Sequence, residues 1–214
     1  MNKITIVEKP DWVSWNDIHD VLVAAHADNK LKGIVMQHQC LSGEEIKQEL
    51  GSAGVMIIAL DGQKVVGVAA IEEKIGKQWY LKGRYGYLCF AGVLPDYRGK
   101  GIYTSLIKKR EQKAKELNYN LLAFDTHKDN LIVQEIAQKN GYRLVRYFRA
   151  QTGDHFNVAM VKWLNGQDAF NKKVKQAYCL SKLLTIIQFK RNGKERTRLT
   201  TLVCQGINRW LKVK

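Results

Sequence analysis

Arg98-Gly99-Lys100-Gly101-Ile102-Tyr103 puts two glycines and two cations at one point, where an apolar run ending in Val93-Leu94-Pro95 gives way to a helical period. The first amides of a helix have no partners inside it, and glycine lets a ligand oxygen approach them closely. The stretch is therefore suited to cradle a phosphate. Cys40, Cys89, Cys179 and Cys204 are scattered, as are the five histidines, with neither metal-ligand spacing nor the density of a disulfide framework. Reduced thiols and no bound metal are expected.

The elements that must position this cradle can be read on either side of it. Residues 55–60 and 65–71 form two apolar strands around an Asp61-Gly62 turn. Ile75-Gly76-Lys77 reads as the next turn, and residues 79–93 as a long strand with a bulge near Gly86 or Gly92. Upstream, Ile4 and Ile6 mark a short strand. Ser14 caps a helix with Ile18, Val21, Leu22 and Ala25 inward, and Ser42 with Glu45 opens a second helix that Gly51 closes.

Downstream, Tyr103, Leu106, Ile107, Arg110, Ala114 and Leu117 share one helical face. A strand at 121–126 follows, then a helix at 130–139 with Ile132, Val133 and Ile136 inward and Gly141 as its cap. Strands at 142–148 and 156–163 close the pattern. The order predicts a mixed α/β domain over residues 1–163 and a basic amphipathic helical extension over 164–214.

Motif and element order together resemble the GNAT superfamily of acetyl-CoA-dependent N-acetyltransferases over roughly residues 3–163. The resemblance implies a central, mostly antiparallel sheet flanked by helices, with a splayed parallel strand pair at the cofactor site. It implies acetyl-CoA as cosubstrate, its pyrophosphate held by Arg98, Gly99, Lys100, Gly101 and Tyr103. Backbone groups of Ala91 and Val93 would pair with the pantetheine arm and polarise the thioester carbonyl, and Asn130 would contact the pantetheine.

Two positions depart from the family pattern: Tyr103 stands where a small residue is usual, and Ala137 where a tyrosine usually protonates the leaving thiolate. The strand position that carries a carboxylate in some members matches Tyr87. Glu72, Glu73, Asp125 and His127 are further candidates for moving the amine's proton, by their places at strand ends. The reaction implied is direct attack of a primary amine on the thioester, the acceptor being a small metabolite or an amino sugar of a glycan. The alternative is a catalytically weak or inactive module that binds nucleic acid or an anionic membrane surface.

The net charge is +15, and residues 164–214 hold twelve basic side chains against Asp168 and Glu195. Such an extension can pack on the domain or on a second copy, lie on an anionic membrane surface, or contact nucleic acid. Nucleic acid is the weakest of these, because Tyr178, Phe189 and Trp210 form no recognisable reader motif. No apolar run reaches the roughly 18 residues of a spanning helix, and the first residues alternate like a strand. A cytoplasmic protein, peripheral to a membrane if attached at all, is expected.

Overall fold

The computed structural model describes residues 3–31, 41–78, 81–150, 155–164, 176 and 178–183, so most of the expected basic extension lies outside the described residues. The order is β1 (Thr5–Glu8), α1 (Trp15–Ala25), α2 (Ala27–Leu31), α3 (Gly43–Leu50), β2 (Val55–Asp61), β3 (Lys64–Gln78) and β4 (Leu81–Val93). After a 3₁₀ turn (Pro95–Tyr97) come α4 (Ile102–Glu116), β5 (Leu121–His127), α5 (Leu131–Lys139), β6 (Arg143–Arg149) and β7 (Phe156–Trp163). This is the mixed α/β order expected. Among the described residues, the elements not anticipated are the 3₁₀ turn and α2, which is five residues long and too short to display a period.

The chain divides into two units, one of Met1–Lys74 and Gly86–Tyr119 and the other of Ile75–Tyr85 and Asn120–Lys214. In the first, strands follow in the order β1-β2-β3-β4. β2 is antiparallel to both β1 and β3, and its register with β3 shifts between Ala59 and Leu60. Both faces of β2 are covered, which is why it reads as an unbroken apolar run rather than an alternating one. Met56, Ile58 and Leu60 pack with Ile18, Val21 and Leu22 of α1 and Ile46 and Leu50 of α3. Ile57 and Ala59 pack with Val66, Ala69, Val93 and the α4 residues Ile102 and Leu106.

Two reciprocal caps set where the helices over the first face begin. The Asp17 N–H donates to Ser14 Oγ at 3.0 Å while the Ser14 N–H donates to the Asp17 carboxylate at 2.9 Å, and Ser42 and Glu45 repeat the arrangement in α3. β3 corrects the expected turn at 75–77: the strand continues to Gln78. Gly76 lies in it, where an added Cβ would strike the Leu81 carbonyl.

In the second unit β7 lies between β5 and β6, antiparallel to each. The α5 face departs from expectation. Ile132 is 73% exposed, and Gln134 and Ala137 take the buried positions. Gln134 is held inward by amide donation to the carbonyls of His127 and Lys128. The helical residues 178–183 lie against β6, where the Tyr147 N–H donates to Ser181 Oγ at 3.1 Å.

Replacing Ser14 by Ala should lower the free energy of unfolding by about 1 kcal/mol through loss of the α1 cap. Urea melts of the variant against the parent measure it.

Candidate functional site

β4 delivers the chain to the phosphate-cradle motif through a kink. Phe90 has φ 44, a left-handed value rare for a bulky residue, and Gly92 follows two residues later. Beyond the kink, the Leu94 N–H donates to the Val66 carbonyl, and the 3₁₀ turn leads to Arg98.

Gly99 and Gly101 both have positive φ, 74 and 75, and a Cβ on either would meet nothing within 4 Å. Alternating left-handed glycines turn successive amides toward a common concavity. The Arg98 N–H donates to Pro95 O and the Ser105 N–H to Gly101 O. Between them, no hydrogen bond within the described residues engages the amides of Gly99, Lys100, Gly101, Ile102, Tyr103 or Thr104. These six donors, five of them on exposed or half-buried residues and one on the buried Ile102, with no side-chain cap at Gly101, are suited to an anion at a helix start.

The side chains around the cradle brace it from behind. Tyr97 Oη donates to Asp61 Oδ2 at 3.0 Å, fixing the turn to the β2–β3 hairpin. Lys100 Nζ donates to the Asp96 carbonyl at 2.8 Å and lies over the Tyr97 ring. Arg98 spans to the end of α1, donating to the Ala25 carbonyl at 2.7 Å and to Asp28 Oδ2 at 2.9 Å. The bulk of Tyr103 is accommodated because its ring packs against the Ile57–Val66–Leu106 cluster, away from its own amide.

The end of α1 also reaches β4. His26 Nε2 lies 2.8 Å from the Ala91 carbonyl, and Asn29 Nδ2 lies 3.0 Å from His26 Nδ1. A carbonyl can only accept and an amide nitrogen can only donate, so the ring is neutral with its proton on Nε2. Burial first, then the nearby Arg98 charge, hold its pKa below the ordinary histidine value, against the raising effect of the Ala91 bond.

Of the candidates for proton transfer, Glu72 and Tyr87 are brought together by Lys74. Its ammonium is 3.1 Å from the Glu72 carboxylate and 4.3 Å from the centre of the Tyr87 ring. Glu73 accepts from Tyr119 Oη at 3.0 Å. In β4, desolvation and then Glu72 push the Cys89 thiol up to about 12, so it carries no thiolate at neutral pH. In the second unit, Asp125 is an exposed residue of β5, and Asn130 N-caps α5 while its amide donates to Thr126 Oγ1 at 3.1 Å. His127 lies 3.8 Å from the Asp129 carboxylate and stacks obliquely on His155. Ala137 is only 2% exposed.

His26, Asn29 and the Phe90 kink escaped the sequence reading. Gly92, raised there as a site for a bulge, was the only available signal.

A kinked strand, a glycine nest of unbonded amides and a helix starting from it come together at the end of β4, an arrangement suited to a phosphate-bearing ligand. Residues 15–142 match the acetyltransferase (GNAT) family, and the chain belongs to that family, whose members are acyl-CoA-dependent N-acyltransferases. It is 25% identical over 117 residues to N-alpha-acetyltransferase 30 of Schizosaccharomyces pombe, an overlap of 53% of this chain and 66% of that protein.

Among solved structures, it resembles the ribosomal-protein-S18-alanine N-acetyltransferase of Escherichia coli (TM-score 0.58, 13% identity, 79% of this chain and 100% of the other). It also resembles an aminoglycoside 6'-N-acetyltransferase complexed with coenzyme A (TM-score 0.57, 15% identity, 75% and 97%).

Because His26 resists protonation when folded, it contributes stability that is fully present above its ordinary pKa of about 6.5 and is lost as pH falls through the depressed folded value. Denaturant midpoints measured from pH 7.5 down to 5 should therefore fall less steeply for His26→Gln than for the parent.

Proposed function

We propose that this chain is an N-acetyltransferase that moves the acetyl group of acetyl-CoA to a primary amine by direct attack. The observation that supports it most is the run of six unbonded amides from Gly99 to Thr104, which follows directly on the braces at Tyr97 and Arg98. Acetyl-CoA supplies a thioester-activated acetyl group and a pyrophosphate. The amides from Gly99 to Thr104 hold the pyrophosphate, with Lys100 beside them. Arg98 acts indirectly, by fixing the loop to α1. Backbone groups of Ala91 and Val93 serve the pantetheine and the thioester oxygen, and Asn130 serves the pantetheine.

The high pKa of Cys89 favours direct attack over an acyl-cysteine route. With Ala137 in place of a tyrosine, the thiolate leaves without a side-chain acid at that position, which its ordinary pKa near about 8.5 permits. Glu72, in its pairing with Lys74 beside Tyr87, and Asp125 are the carboxylates proposed to accept the amine's proton. Orientation of amine and thioester supplies much of the acceleration, on the order of 7 to 11 kcal/mol in favourable systems.

The acceptor proposed is a small amine or an amino sugar. An acceptor screen by thiol release tests it, with peptides bearing free N-termini as a competing arm. The basic extension is proposed to keep the enzyme near an anionic membrane surface, which co-sedimentation with anionic vesicles tests. The buried Ala137 favours one second reading, a catalytically weak module, which predicts CoA binding without thiol release for any amine.

Gly101→Glu should weaken CoA binding by roughly a hundredfold or more, because it sets a carboxylate against the pyrophosphate. Gly83→Ala carries a similar left-handed backbone cost at φ 82 and should leave CoA affinity unchanged. Calorimetric titration with CoA separates the two variants. If the parent itself shows no heat of binding at millimolar CoA, the proposed function fails.

A further inference from the structure

The end of α1 grips β4 and the cradle through adjacent residues. Ala25 accepts from the Arg98 guanidinium at 2.7 Å, and His26 donates to the Ala91 carbonyl at 2.8 Å. The approach is close because position 92 is glycine: a Cβ there would lie 2.7 Å from the Ala25 Cβ and 3.5 Å from His26 Nε2. His26 is anchored in turn. Its N–H donates to the Leu22 and Val23 carbonyls, its ring Nδ1 accepts from Asn29, and Leu22 and Ala25 beside it are buried.

Across the contact, the left-handed Phe90 persists only where its surroundings over-determine it. The imidazole bond to the next residue's carbonyl is one such constraint. A trans peptide points its C=O and N–H in opposite directions. Aiming the Ala91 carbonyl at α1 therefore aims the Gly92 N–H away from it and fixes that peptide plane.

We infer that His26 is a positioning residue for acetyl transfer: by donating its Nε2–H to the Ala91 carbonyl it locks the β4 kink, and so orients the backbone groups that serve the thioester. This rests on the function proposed above. The phosphate loop has its own braces at Tyr97 and Arg98, so losing the His26 bond should disturb the reacting end of the cosubstrate more than its pyrophosphate end. The groups near the ring include Arg98 with its partner Asp28, Asn29 and the Ala91 carbonyl. Nδ1 accepts from Asn29 only when it carries no proton, while the Nε2–H donates to Ala91. The neutral tautomer is thus part of the arrangement.

The test compares the full chain with His26→Leu, which fills space without a donor, and His26→Gln, whose amide keeps one. With the best amine from the screen, His26→Leu should lower kcat by about tenfold to a hundredfold while CoA affinity by calorimetry stays within about threefold of the parent. His26→Gln should recover most of the loss. A folded His26→Leu with unchanged kcat overturns the inference, as does a His26→Gln that falls as far as His26→Leu, since packing alone would then explain the effect.

Long-range proton–nitrogen spectra of the parent's imidazoles supply a readout that needs neither a folded variant nor turnover. His26 should appear as the neutral Nε2–H form near pH 7, and an Nδ1–H form overturns the inference. Failure of the parent to bind CoA or release thiol is a different outcome. It removes the proposed reaction and with it a role in transfer, while the spectrum still decides whether the latch exists.

Discussion

The site depends on backbone amides that the fold leaves without partners. Six consecutive N–H groups from Gly99 to Thr104 are withheld from the hydrogen bonding that stabilises the rest of the chain. A segment with so little internal bonding would wander unless held from outside. The holding is done by side chains that face away from the concavity: Tyr97 on Asp61, Arg98 on Ala25 and Asp28, and Lys100 on Asp96. Tyr97 and Arg98 attach the loop to the β2–β3 hairpin and to α1, while Lys100 closes it on its own turn.

That packing is two-sided within the first unit. α1 and α3 cover one face of β2, β3 and β4, and α4 covers the other. Small residues set how near the helices come. Gly92 admits the end of α1, while a Cβ on Gly67 would lie 3.3 Å from Leu106 of α4 and from Val93. The burial that forms the core therefore also places the α1 terminus within hydrogen-bonding distance of both β4 and the loop. Stability and site geometry share the same contacts here.

The chemistry asked of the side chains is modest. An acetyl thioester is already activated, and the groups proposed to handle it are mostly backbone N–H and C=O, which any sequence supplies once the strand is kinked and the loop is turned. Tyr103 contributes its amide and sends its ring into the cluster beneath α4.

Legible in the sequence were the element order apart from α2, the α3 capping box and Ser14 cap, the buried face of α1, and the glycine-rich turn before α4. All of these are local, set by periodicity or by residues within four positions of one another. The sequence misjudged the end of β3, because Ile75-Gly76-Lys77 carries a turn's composition while the strand runs on to Gln78. It misjudged part of the α5 face as well: Val133 and Ile136 are half-buried, but Ile132 is exposed, and the buried positions fall on Gln134 and Ala137. Local patterns did not show that Phe90 would turn left-handed, that Arg98 would bond to the end of α1, or that His26 would meet Ala91. Those contacts join residues 65 to 73 positions apart, and no local pattern encodes a distance that forms only when α1 packs onto β4.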